Sequence, residues 1–99
     1  MRFGEAIKCA REGMRIARLW WGGKELYVYM TLGQLVPLDM WVARMPSQEL
    51  TEVEKEKGYV NIMPHLDMMS VQGVRTIGWN PSQADMLSDD WYVVDREDE

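Results

Sequence analysis

The sequence predicts an α+β fold: one N-terminal helix packed on a bent antiparallel β-sheet, with a short helix before the C-terminal strand. Three observations predict it. The first dozen residues space their apolar side chains for a helix. Much of the remaining chain alternates apolar and polar residues in short runs. Glycines and Asn80-Pro81 punctuate those runs as turns do. In the helix, Phe3, Ala6, Ile7, Ala10 and Met14 fall on one face, and Glu5, Lys8, Arg11 and Glu12 on the other. Gly13 is a natural stop, so a helix is expected over 3–12. Met14 to Trp21 reads as a strand, Gly22-Gly23 as a turn and Glu25 to Thr31 as the returning strand of a hairpin.

Residues 33–58 read as an irregular insertion. Pro37 and Pro46 break it, Trp41-Val42-Ala43 suggests a short strand, and Thr51 to Lys57 is almost entirely charged. Alternation resumes from Tyr59 to Met68. Val60, Ile62, Leu66 and Met68 take one side, Asn61, His65 and Asp67 the other, with Pro64 marking an edge or a bulge. Ser70 to Gly73 is a turn and Val74 to Trp79 a returning strand. Ser82, followed three residues later by Asp85, caps a helical turn or two up to Leu87. Trp91 to Val94 closes the sheet, and 95–99 is an acidic, solvated tail. The whole of 1–99 is expected to be one domain without repeats.

Composition narrows the function. At 46% hydrophobic residues the chain is not a disordered one. No apolar run approaches the roughly 20 residues of a membrane-spanning helix, and charged side chains at Glu5, Lys8, Arg11 and Glu12 interrupt any leader-like segment. A cytoplasmic protein is expected. Cys9 is alone, Cys/His zinc spacing is absent, and Asp85, Asp89 and Asp90 do not have calcium-loop spacing, so neither metal nor cofactor is expected. Residues 1–24 carry six basic against two acidic side chains, a balance of +4. The rest carries five against fourteen, a balance of −9. Such a chain is a poor partner for nucleic-acid polymers but can hold a small anion with a few placed cations. Five tryptophans and nine methionines exceed what 99 residues readily bury, so some are expected at a ligand site or a subunit interface.

Catalysis has little support. His65 and Asp67 share a strand face, but no nucleophile is implied beside them, so a structural histidine is the simpler account. Binding has more. Arg18-Leu19-Trp20-Trp21-Gly22-Gly23-Lys24 combines two cations, two indoles and a glycine turn, the elements that stack on a base, neutralise phosphate and let a ligand approach the backbone. Arg75 to Asp90 adds Trp79, Ser82, Gln83 and Asp85 around a helix start. Trp20, Trp41 and Trp91 read first as core. On one strand, Trp20 and Trp21 would face opposite ways.

Four segments in order resemble a known family. They are Phe3-Gly4-Glu5-Ala6; Ala17-Arg18-x-x-Trp21-Gly22-Gly23-Lys24; Pro64-His65-Leu66-Asp67-Met68 with Gly73 after it; and Trp79-Asn80-Pro81-Ser82-Gln83-Ala84-Asp85-Met86-Leu87-Ser88-Asp89-Asp90-Trp91. Together they look like the phage proteins called Thoeris anti-defence proteins of the second type, over 3–30 and 59–94. The resemblance implies a non-catalytic sponge, a homotetramer with pockets between subunits. Such a sponge captures a cyclised ADP-ribose signal made by a TIR-domain enzyme in the host cytoplasm. Some relatives also hold cyclic oligonucleotides. The usual Trp-Asn-Gly-Lys pattern here has Gly22 for the asparagine, which removes a side-chain amide. On this reading Trp21 stacks, Arg18 and Lys24 supply charge, Ser82, Gln83 and Asp85 make polar contacts, and Arg75 is a further cation. Two other readings remain, a phage structural or host-interaction adaptor and a small hydrolase centred on His65.

Overall fold

Helix α1 spans Phe3–Arg11, and small residues on its inner face decide how closely it packs. The computed structural model describes residues 1–23 and 25–94; the expectations for Lys24 and for the acidic tail lie outside them. The end of α1 follows from Gly13, which takes φ +94°. Its N–H donates to the Ala10 carbonyl at 3.0 Å while that of Met14 donates to Cys9 at 3.1 Å, closing the last turn.

The chain forms two units. The first joins Met1–Thr31 to the segment that begins at His65. It holds β1 (Ile16–Arg18), β2 (Tyr27–Thr31), β5 (His65–Met69), β6 (Arg75–Ile77), β7 (Trp91–Val93) and α4 (Gln83–Leu87). The strands make one antiparallel sheet in the order β6-β5-β2-β1-β7, in the expected α+β class. Ala6 and Ala10 of α1 lie with Ile16, Val28 and Trp91 in the core, where the absence of long side chains on the helix lets it lie close. Phe3 packs on Trp91 with ring centres 5.3 Å apart. Trp91 is 1% exposed, and its Nε1–H donates to the Asp85 carbonyl at 2.8 Å, so burial leaves no orphaned donor.

Several sequence expectations change. The first strand stops at Arg18, and Leu19–Trp21 is a 3-10 turn. The cause is Gly22, whose left-handed φ of +79° turns its N–H onto the Leu19 carbonyl at 2.9 Å. The expected strand from Tyr59 to Met68 is two strands, β4 (Tyr59–Ile62) and β5, which belong to different sheets. Met63-Pro64 separates them, and proline has no N–H for a ladder. Another change is at Trp79, which lies outside β6, beyond Gly78 at φ +80°.

The second unit, Leu32–Pro64, is more regular than the expected insertion. Here β3 (Gln34–Pro37) pairs antiparallel with β4, Val36 opposite Val60, and both valines are buried. Trp41-Val42-Ala43 lies in helix α2 (Leu38–Arg44) rather than a strand. Leu38 and half-buried Trp41 sit three residues apart, the spacing of one helix face. The charged segment is helix α3 (Glu52–Lys57). Thr51 Oγ1 accepts the Glu54 N–H at 3.1 Å and Glu54 Oε1 accepts the Thr51 N–H at 2.8 Å, while Gly58 at φ +87° ends the helix.

Trp91→Ala is expected to cost about 3–5 kcal/mol, because the indole fills the centre of the first unit. Urea unfolding reads this directly. A variant as stable as the parent would contradict the packing described.

Candidate functional site

The candidate site grows from the end of β1. Arg18 stands opposite Trp91 in the ladder and is only 8% exposed. Its NH1 donates to Asp85 Oδ1 at 2.8 Å and its Nε to Asp90 Oδ1 at 2.9 Å. Each carboxylate does a second job. Asp85, 9% exposed, is the third residue of α4, and its Oδ2 accepts the Ser82 N–H at 2.8 Å while Ser82 Oγ accepts the Asp85 N–H at 3.0 Å. Asp90 Oδ2 accepts the Trp20 N–H at 2.9 Å, and the Asp90 carbonyl accepts that of Leu19 at 3.0 Å. One guanidinium therefore ties together the end of β1, the start of α4 and the turn after β1.

Electrostatics follow from that geometry. Hydrogen bonds donated to Asp90 and then to Asp85 raise the Arg18 pKa above its ordinary value despite burial. For Asp85, burial pushes the carboxyl up. The Ser82 N–H, the Arg18 guanidinium and the Ser82 hydroxyl outweigh it and hold the pKa below the usual value. Asp90 is also held low, chiefly by its hydrogen bond from Arg18. All three groups are charged near neutral pH, and each is already satisfied within the protein.

Above this network lies an aromatic cluster. Trp21 is half-buried and meets Trp91 edge-on at 5.4 Å and Trp79 edge-on at 6.4 Å; Trp79 and Trp91 are 6.3 Å apart. Edge-to-face rings of this kind pack favourably because the positive ring edge meets a negative face. Gly22 and Gly23 follow, both at positive φ, with open space where a Cβ would stand. A base or a sugar can approach that bare backbone closely.

The expected site residues thus fall into groups. Arg18 and Ser82 are each bonded to Asp85, with exposed Gln83 beside them at the start of α4. Trp21 and Trp79 are brought together, with Gly22 and Gly23 next to Trp21. Lys24 lies outside the described residues. Arg75, exposed on β6, turns to β2: NH1 donates to the Tyr29 hydroxyl at 2.8 Å, with Cζ 5.5 Å from the ring centre. Sequence reasoning misses Asp90 as Arg18's partner, and its reading of Trp20 as core is corrected: on the 3-10 turn the indole is 78% exposed. A carboxylate directly before a core tryptophan was the one signal available for Asp90.

His65 and Asp67 do share a face, with Nε2 3.5 Å from Oδ2. Asp67 is buried, accepts the Thr31 hydroxyl and takes the Gly78 N–H at 2.9 Å, which pins the start of the Gly78-Trp79 bend. Among the described residues, no group of three or more His, Cys, Asp or Glu side chains could hold a metal ion. No helix of the described residues is long and apolar enough to cross a membrane.

The depressed carboxyls link stability to acid. Their contribution is complete above the ordinary carboxylate range, near pH 4, and is lost as pH falls through their lower folded values. The melting temperature is therefore expected to fall between pH 5 and about pH 2, and Arg18→Met to flatten that slope. At pH 7 the same variant leaves Asp85 buried without its cation and is expected to lose about 3–5 kcal/mol. Calorimetry across pH tests both. Equal slopes in parent and variant would show that the network does not carry the linkage.

The match to known proteins covers all of these features. The family description "Thoeris anti-defense 2-like domain" matches residues 1–94. A protein of Bacillus phage SP01 named Thoeris anti-defense 2 is 27% identical over 94 residues, which covers 95% of this chain and 94% of that protein. The match takes in β1 and the turn after it, the β5 strand and the α4–β7 segment, the pieces that build the site. This chain belongs to the Thoeris anti-defense 2-like family, whose role is phage anti-defence.

Proposed function

We propose that the protein is a phage-type sponge that binds a cyclic nucleotide immune signal and sequesters it without degrading it. The signal is a cyclised ADP-ribose made by a TIR-domain enzyme, with cyclic oligonucleotides as a further class. The observation that carries this reading is the pairing of indoles with bare glycine backbone on a frame locked by buried charge. A sponge needs affinity without turnover. Indoles supply flat faces for a base, and a preformed turn reduces the ordering cost of binding.

Within this reading the expected residues take different parts. Trp21, Gly22 and Gly23 form the ligand's bed, with Trp79 as its floor and Lys24 supplying charge. Arg18 and Asp85 hold the bed in place, since their charges already satisfy each other. Gln83 and the exposed edge of Ser82 face ribose hydroxyls, and Arg75 is a cation at the margin. The protein acts in the host bacterial cytoplasm as a homotetramer. Copies associate through apolar surface that a monomer leaves open, such as Leu32, Leu35 and Val53 of the second unit.

Two measurements test this. Cyclised ADP-ribose is expected to raise the melting temperature, by mass action on the folded state, while linear ADP-ribose does so much less. Light scattering at micromolar concentration is expected to give four times 11.6 kDa. Absence of any shift with cyclised ADP-ribose and cyclic oligonucleotides would refute capture and leave the adaptor reading. A monomer mass would refute a pocket between subunits.

A further inference from the structure

The turn after β1 treats its two indoles in opposite ways. Trp21 turns inward and touches Trp79 and Trp91. Trp20 stands 78% exposed, although an indole gains more from burial than almost any other side chain. Its backbone is nevertheless held on several sides. The Trp20 N–H donates to Asp90 Oδ2, the Leu19 N–H to the Asp90 carbonyl and the Arg18 Nε to Asp90 Oδ1, at 2.9, 3.0 and 2.9 Å. On the far side, the Gly22 N–H closes the turn on the Leu19 carbonyl at 2.9 Å. An exposed indole on a mobile loop would lose orientation when it bound anything, whereas this one is carried on a fixed turn. Beside it, Gly22 and Gly23 leave open space over the backbone.

We propose that Trp20, on a turn held in place by Asp90, is the stacking platform for the purine ring of the captured nucleotide, beside the bed formed by Trp21, Gly22 and Gly23. The proposal rests on the sponge reading and refines it. It makes Trp20 a ligand-contacting residue and Asp90 a positioning residue. Two residues on from Trp20, Gly22 and Gly23 leave the backbone bare, and the Arg18 guanidinium is already paired with Asp85 and Asp90. A solvent-facing ring on a fixed turn is then ready to accept a base with less loss of backbone freedom.

The test is a double-mutant cycle on the full chain, read by calorimetric titration with cyclised ADP-ribose prepared from a TIR-domain enzyme. Trp20→Ala is expected to weaken binding roughly ten- to a hundred-fold with an unchanged melting temperature, because the side chain buries little. Trp20→Phe is expected to restore most of the affinity. Asp90→Asn is expected to weaken binding in the parent but to have no further effect once Trp20 is alanine, a coupling that a purely structural aspartate would not show. If the parent binds and Trp20→Ala binds as tightly, this assignment is overturned while the sponge reading stands. If the parent itself fails to bind, both fall. A loss of affinity together with a lower assembly mass would place Trp20 between copies of the chain and also overturn the proposal.

Discussion

The buried guanidinium of Arg18 is the constraint on which the rest of the candidate site depends. Two carboxylates from one short C-terminal stretch, Asp85 and Asp90, close on it at 2.8 and 2.9 Å. Removing a charge from water is costly, and the arrangement is tolerable because each of the three side chains has more than one partner. Asp85 satisfies the first turn of α4 with its other oxygen, and Asp90 satisfies the turn at Trp20. A change at Arg18 therefore reaches the helix start and the indole turn together. The network contributes position more than stability, since a buried ion pair is worth little more than the apolar packing that could replace it.

That rigidity gives the aromatic cluster its meaning. Trp91 is anchored from three directions: by α1 through Phe3, by the ladder to Arg18, and by the hydrogen bond from its ring to the Asp85 carbonyl. Trp21 and Trp79 pack on it edge to face. The glycines that follow Trp21 are needed for their left-handed backbone and, by having no side chain, leave room above it. The capture we propose would use such a preformed surface. Capture asks for no reacting group.

The local grammar of the chain was readable from sequence. Helix α1 and its Gly13 stop, the Ser82–Asp85 cap and the core placement of Trp91 all rest on short-range rules that hold within a few residues. The same cap chemistry at Thr51 and Glu54 is hidden from that reading because the charged run around it reads as part of the irregular 33–58 insertion. Periodicity could not show that Met63-Pro64 divides one alternating segment between two sheets, since the alternation continues across the break. In the site, the residue types were legible but their partners were not. Arg18 looked like a free cation because its carboxylates lie 67 and 72 residues away. The family resemblance, by contrast, rested on long ordered motifs and agrees with the match over residues 1–94.

The most direct test of capture is mass spectrometry of the small molecules released by denaturing protein purified from cells with an active TIR-domain enzyme. Capture without turnover predicts an intact cyclised ADP-ribose, near one ligand per site, that disappears when the TIR enzyme is inactive. Recovery of only linear or hydrolysed products, or of no nucleotide from cells that make the signal, would contradict it.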